Sequence, residues 1–387
     1  MANKKTPFIY LVAGEASGDL IGASLMQALV HQTSGRITFA GIGGHSMESQ
    51  GLRSLFPLQE LSIMGIAEVI PHIPNILSRL AQTTRHIIQH KPDVVVTIDS
   101  PGFNFRLARN LQASGIPLIH YIAPTVWAWR PWRAQKIAKL YQHLLTVFAF
   151  EPPYFEKHGL ASTFVGHPLI EKNIHTLDPH LFRQQHQLDA DHPLLCVLPG
   201  SRQSELRQLL PIFGHTLSLL KKQHPTLKIV VPTLPQLAEH ITTTLVHYGI
   251  SPLIVTDETD KYSAMRACTA ALAASGTVTL ELALAQAPMV VAYKINKLTE
   301  WIIRPLLQTP YVALPNILAG KPIVHECLQA ACTPQNLFTA THQLLRNPHD
   351  NQHQRQALQH IQQYVLNPTA PPKELAAAVV LKYSRKK

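Results

Sequence analysis

The feature that most narrows the fold of this chain is a series of short apolar runs, rich in β-branched residues and separated by helix-length intervals. The first half carries Phe8 to Val12, Ile37 to Ala40, Val94 to Ile98, Leu118 to Ile122 and Leu144 to Phe150. The second carries Leu194 to Leu198, Ile229 to Val231, Leu253 to Val255, Ala270 to Ala274 and Met289 to Ala292. Runs of this length without polar alternation belong to parallel strands covered by helices on both faces. A chain of 387 residues also exceeds the size at which one hydrophobic core keeps growing. The expectation is an α/β protein of two doubly wound, Rossmann-like domains.

The joint is expected near residue 170, after Glu151-Pro152-Pro153 and Val165 to Leu169, which gives domains over 1–170 and 171–352. Beyond about residue 350 the sequence turns Gln- and His-rich, then passes Asn367-Pro368-Thr369-Ala370-Pro371-Pro372 into an apolar helix from Lys373 to Tyr383. That tail is expected to dock outside its own sequential domain.

Hydrophobic residues at 46% and charged residues at 15% exclude a mainly disordered chain and leave little charge to cover the surface. The net charge of +11 calls for an anionic partner, and nucleic acid, an anionic membrane face and phosphorylated substrates all qualify. Basic residues are scattered, with short clusters only at Lys4-Lys5, Lys221-Lys222 and Arg385-Lys386-Lys387, so nucleic acid ranks below the other two. The run Phe8 to Val12 is too short for a signal-peptide core, and the weakly polar stretch from Thr269 to Tyr293 is broken by Ser275, Gly276, Thr277 and Glu281. A soluble or peripheral protein is expected. Cys196, Cys268, Cys327 and Cys332 form no CxxC pair and sit in or beside apolar segments, the pattern of reduced thiols in the cytoplasm. His349 and His353 have helical spacing but no further plausible ligand nearby, so no metal site is expected.

In open parallel sheets, ligands bind at the loops leaving the carboxyl ends of the strands. Four such loops are chemically rich. Ala13 to Asp19 combines glycines with a helix start, fit either to approach a phosphate or simply to turn under a Ser17 or Asp19 cap. Gly41-Ile42-Gly43-Gly44 lacks the spacing of a dinucleotide fingerprint and reads as a tight turn. Ile98 to Asn104 puts Asp99 at the end of an apolar strand, where it either caps the next helix or acts as a general base. His120 to Arg130 concentrates Trp127 and Trp129 beside Arg130, a pairing suited to sugars or anionic head groups, or to a packed core. In the second half, Leu198 to Arg202 offers a guanidinium for a diphosphate, with Glu205 as a helix cap. Ser275-Gly276-Thr277 opens a helix that carries Glu281 one turn on.

Together and in this order, VAGEASGD (Val12 to Asp19), HYIAPTVWAWR (His120 to Arg130), LPGSR (Leu198 to Arg202), ASGTVTLE (Ala274 to Glu281) and LPNILAG (Leu314 to Gly320) resemble the lipid-A-disaccharide synthase family, over residues 6 to 340. The resemblance implies a GT-B glycosyltransferase: two Rossmann-like domains facing a cleft, with a C-terminal segment (353–387) that returns to the first domain and is exchanged between subunits of a homodimer. By motif position, Asp99 takes the role of base. Gly200, Ser201, Arg202, Ser275, Gly276, Thr277, Glu281 and Asn316 bind the nucleotide, while Glu15, Ser17, Asp19, Asn104, Trp127 and Trp129 face the reacting sugars. The family often has a second acid where this chain has Gly102.

The implied reaction joins UDP-2,3-diacylglucosamine and 2,3-diacylglucosamine 1-phosphate into a β-1,6-linked disaccharide with inversion, and no cofactor is implied. The absence of a DxD-like motif from the strand-end loops points the same way for metals. Acylated substrates call for an apolar surface, for which Leu61 to Pro71 is the best candidate through Ile63, Met64, Ile66 and Val69. With scattered basic charge, this predicts peripheral docking on the anionic inner membrane from the cytoplasm. The competing readings are another UDP-sugar enzyme of GT-B type, either a 2-epimerase or an N-acetylglucosaminyltransferase, and a non-catalytic binder of anionic lipid or nucleotide.

Overall fold

A computed structural model describes residues 6–61, 72–128, 130–295 and 308–384. The chain divides into two compact units, 1–171 with 365–387, and 172–364.

The first unit is built on a six-stranded parallel sheet in the order β2-β1-β3-β4-β5-β6. Its strands are β1 (Phe8–Ala13), β2 (Thr38–Ile42), β3 (Val94–Ile98), β4 (Leu118–Tyr121), β5 (His143–Thr146) and β6 (Ala161–Phe164). All five residues of β3 are buried, which explains its unbroken β-branched composition. Chain order reverses between β1 and β3, so the loops after these two strands flank the topological switch point.

The C-terminal helix Pro372–Ser384 belongs to this unit, as expected for a returning tail. It packs on the helix Ala16–Gln32, where Gln32 Nε2 donates to Glu374 O at 2.8 Å and to Glu374 Oε2 at 2.7 Å. Glu171 ties the unit's closing residues together, accepting from Ser24 Oγ and from Lys373 N at 2.9 Å each. The return begins at Val365 rather than at residue 353. The helix Pro348–Gln359 stays with the second unit because Gln354 Oε1 accepts the Met289 N–H and Arg355 donates to the Gln286 and Cys268 carbonyls at 2.9 Å each.

The second unit repeats the plan with the order β12-β11-β10-β7-β8-β9. Its strands are β7 (Leu194–Leu198), β8 (Lys228–Pro232), β9 (Leu253–Val255), β10 (Ala270–Ala274), β11 (Met289–Tyr293) and β12 (His325–Leu328). The core packs Leu195, Val197 and Val231 against Leu209, Phe213 and Leu217 of the helix Gln203–Gln223. Each such side chain contributes about 1.5–3 kcal/mol on burial. Here the switch point lies between β7 and β10, whose following loops carry Arg202 and Ser275–Thr277.

Among the described residues no helix is long and apolar enough to cross a membrane. The apolar segment Leu61 to Pro71, with Ile63, Met64, Ile66 and Val69, lies outside the described residues after Leu61.

Candidate nucleotide-sugar site

In the first unit, the loops at the switch point hold one another. Asp99 and Ser100 are both left-handed, with φ of +48° and +44°, a conformation that costs non-glycine residues on the order of 1–3 kcal/mol each. Asn104 offsets that cost by donating from Nδ2 to the carbonyls of Ile98 at 3.1 Å and Asp99 at 2.8 Å. Gly14 is required on the other side, because a Cβ there would lie 2.3 Å from both Cβ and Oγ of Ser100. The Asp99 carboxyl is half-buried, and burial raises its pKa against a smaller lowering by the Ser100 backbone amide. A carboxylate in that setting is a stronger base than an exposed one.

Three residues expected to face sugars are instead structural. Asp19 is 5% exposed and its carboxylate accepts from Gly44 N at 2.7 Å, Ser46 N at 2.9 Å and Met47 N at 3.0 Å, capping the short helix His45–Glu48. Asn104 is fully buried on the carbonyls just described. Trp127 is buried against Phe148 and Phe150 at ring separations of 6.2 and 5.2 Å, and its Nε1 donates to Glu151 Oε1 at 3.1 Å. In each case the polar group is taken up inside the protein: Asp19 by backbone amides, Asn104 by backbone carbonyls and the Trp127 ring N–H by the Glu151 carboxylate. Ser17 is exposed, Glu15 is half-buried at the start of the helix Ala16–Gln32, and Trp129 lies outside the described residues.

Glu151, a linker residue by sequence, is a structural tie. It is 0% exposed, and its Oε2 accepts the Val147 and Phe148 amides at 3.0 Å each, so it ties the β5 loop to the Trp127 loop. Burial pushes its carboxyl up to about 7 despite those bonds. Its signal was the Phe-rich run before it, which ends on an acid rather than on a turn residue.

In the second unit, the strand-end loops part around a cavity of about 530 Å³. Its walls include Gly200, Ser201 and Arg202 after β7, and Ser275, Gly276, Thr277 and Glu281 after β10, so seven of the eight residues expected to bind nucleotide are brought together. Arg202 is 56% exposed in its side chain and meets Glu205 at 3.0 Å. Gly276 and Thr277 are exposed, while the Ser275 hydroxyl donates to Val312 O at 2.8 Å. Glu281 is mostly buried in the cavity wall, paired with Lys261 Nζ at 2.8 Å.

Asn316 is the exception. It is 1% exposed and lines no part of that cavity. Its Oδ1 accepts from Ile323 N at 2.7 Å and Val324 N at 2.8 Å, while its Nδ2 donates to Val324 O at 2.9 Å and Glu326 Oε1 at 2.8 Å. All its hydrogen-bonding capacity goes to fastening the turn before β12.

The cavity also has walls that motif reading missed. Thr233 and Leu234 follow β8, Thr256 and Asp257 follow β9, and Lys261 comes from the helix Glu258–Ala267. Applying the strand-end rule to β8 and β9 would have found the first four. Lys261 carries no local signal, since only the fold sets it against Glu281. Among the described residues no group of His, Cys, Asp and Glu is arranged to hold a metal.

Two parallel sheets under helices, each with ligand-type loops at a switch point, together with a tail returning to the first unit, define the α/β two-domain GT-B architecture. Solved structures agree. A UDP-GlcNAc 2-epimerase from Neisseria meningitidis, determined bound to UDP-GlcNAc, matches with a TM-score of 0.65 at 14% identity, covering 98% of this chain and 100% of that one. MurG from Acinetobacter baumannii matches with a TM-score of 0.56 at 15% identity, covering 97% and 99%. These likenesses establish the fold alone. In sequence, a family model described as lipid-A-disaccharide synthetase matches residues 9–380. A lipid-A-disaccharide synthase from Rhodospirillum centenum is 46% identical over 379 residues, covering 97% of this chain and 94% of that protein. The chain belongs to the lipid-A-disaccharide synthase family, and is thus a glycosyltransferase of lipid A synthesis.

Proposed function

We propose that the cavity at the ends of β7 to β10 binds the UDP of UDP-2,3-diacylglucosamine, and that Asp99 activates the 6-hydroxyl of 2,3-diacylglucosamine 1-phosphate. The observation that carries this reading is the convergence of the Gly200–Arg202 loop, the Ser275–Thr277 loop and Glu281 on one cavity. The relatives' shared name and the UDP-GlcNAc in the Neisseria structure support it.

In the reaction, the acceptor oxygen attacks the anomeric carbon of the donor as the bond to the diphosphate breaks. The electron pair of that bond leaves with UDP, and the hydroxyl proton passes to Asp99. Attack opposite the leaving group turns the α-linked donor into a β-1,6 disaccharide 1-phosphate. Arg202 and the amides of the Gly200–Arg202 loop meet the charge developing on the diphosphate, a preorganised stabilisation of the leaving group. Glu281, paired with Lys261 in the cavity wall, accepts hydrogen bonds from the ribose hydroxyls in this reading.

The acyl chains call for an apolar approach surface. Ile63, Met64, Ile66 and Val69 are its candidates by sequence, and Ile73 and Leu77, exposed one turn apart on the helix Ile73–His90, add apolar surface of their own. Together with the net positive charge, they would dock the protein on the anionic cytoplasmic face of the inner membrane.

The test is an incubation of purified protein with both acylated substrates, followed by mass spectrometry. The expected products are the disaccharide 1-phosphate and UDP. Conversion of non-acylated UDP-GlcNAc with no disaccharide formed would replace this reading by the epimerase or N-acetylglucosaminyltransferase one.

A further inference from the structure

Glu205 stands in the wall of the nucleotide cavity and of a smaller adjoining cavity of about 290 Å³. One of its carboxylate oxygens accepts the Ser201 N–H at 3.2 Å, and the other accepts from Arg202 Nη1 at 3.0 Å. These are two of the donors at the end of β7 best suited to a phosphate: a backbone amide just ahead of the 21-residue helix Gln203–Gln223, and a guanidinium. The backbone comes up close to the same carboxylate. Gly200 has φ +122°, and a Cβ on it would lie 2.6 Å from Glu205 Oε2. An acid of the chain itself therefore sits where a diphosphate would draw its hydrogen bonds.

The pair is weakly held. Its side chains are 56% and 31% exposed, so solvent screens it and it can be exchanged for a ligand of higher charge. A carboxylate displaced from Arg202 has somewhere to go, because the adjoining cavity is also lined by Gln208, Tyr293 and Lys294. The Tyr293 phenol is raised first by burial and then by the charge of Glu205, which puts that carboxylate within electrostatic reach of the second chamber.

We propose that Glu205 is an internal competitor in the donor site, one that tunes its affinity for the diphosphate: it competes with the donor's diphosphate for Arg202 and the Ser201 N–H, and turns toward Lys294 when the diphosphate takes them. This rests on the donor-binding reading above. A phosphate-bearing ligand must then bring enough negative charge to displace an internal carboxylate, so Glu205 holds down the affinity of nucleoside diphosphates and leaves that of nucleosides untouched.

Calorimetric titration of UDP and uridine into the wild type, Glu205→Gln and Lys294→Ala tests this. Glu205→Gln is expected to bind UDP about 2–5-fold more tightly at low ionic strength, with uridine affinity unchanged and the gain shrinking as salt is raised. Unchanged uridine binding also shows that the variant is folded. Lys294→Ala is expected to weaken UDP and leave uridine unchanged, an arm that stands even if Glu205→Gln fails to fold. If the wild type binds UDP but Glu205→Gln binds it equally or more weakly, Glu205 merely positions Arg202 and the competition is overturned. UDP binding by Lys294→Ala equal to that of the wild type overturns the second step. Failure of the wild type to bind UDP at all overturns the donor-site reading with it.

Discussion

The two switch points of this molecule have the same topology and opposite uses. In the first unit, the loops after β1 and β3 close on each other, with Gly14 against Ser100 and Asn104 clamping the Asp99 carbonyl. In the second, the loops after β7 and β10 stand apart around about 530 Å³ of space. Polar residues in the first setting are mostly spent on neighbouring backbone. In the second, Arg202, Gly276 and Thr277 keep exposed surface directed to the cavity. A strand-end position thus marks where chemistry can happen, but whether a side chain is available depends on which unpaired donors and acceptors the surrounding loops present to it.

The sharpest way to break this contrast is at Glu151. Glu151→Ala leaves the Val147 and Phe148 amides and the Trp127 ring N–H without their acceptor, and is expected to cost about 3–5 kcal/mol in denaturant unfolding. A loss under 1 kcal/mol would mean that the β5 loop is held by something else. The same group gives a pH dependence. Its carboxyl is raised to about 7, so the folded state binds the proton more tightly than the unfolded one, and this group's contribution to stability falls as pH rises from about 4.5 through about 7. Glu151→Gln should flatten the difference in stability across that window.

Asn316 tests the contrast from inside the second unit. Asn316→Ala is expected to destabilise by about 2–4 kcal/mol through four lost hydrogen bonds, while the folded fraction binds UDP as the wild type does. A UDP defect without a stability defect would restore it to the ligand site. Asp19→Asn should cost less, about 1–2 kcal/mol, because one oxygen remains to accept from the Gly44 to Met47 amides.

Gly102→Asp is expected to do least to stability. Among the described residues, nothing beyond its chain neighbours and its own helix backbone lies within 4 Å of a Cβ there, and an acid in the first turn of the helix Pro101–Leu111 suits its dipole, so the change should stay within about 0.5 kcal/mol. The missing second acid is then not a matter of space, and its effect on turnover can be read without a folding defect.

Most of the fold was legible because buried parallel strands write themselves as apolar runs. Val94 to Ile98, Leu253 to Val255 and Ala270 to Ala274 match β3, β9 and β10 residue for residue. The two strands that went unread, β6 (Ala161–Phe164) and β12 (His325–Leu328), are both sheet edges with few buried residues, so Ser162, Thr163, His325 and Glu326 interrupt the signal. The apolar run from Leu144 to Phe150 outlasts β5, which ends at Thr146, because Val147 and Phe148 are buried for a different reason, against Trp127 and Glu151. At the site, backbone motifs such as Gly200–Arg202 were readable, since their spacing is itself the structure. Asn104, Trp127 and Asn316 were not, because a polar residue that binds a ligand and one that fastens a turn look alike until the partners are in place.

Titration of UDP into the wild type and Arg202→Ala, with the unfolding midpoint of each followed, decides whether the cavity at the ends of β7 to β10 holds the donor. UDP affinity is expected to fall about 10-fold or more in Arg202→Ala, as for loss of a charge-assisted phosphate contact, with stability within about 0.5 kcal/mol of the wild type. Equal UDP affinity in the two proteins would contradict a donor site there.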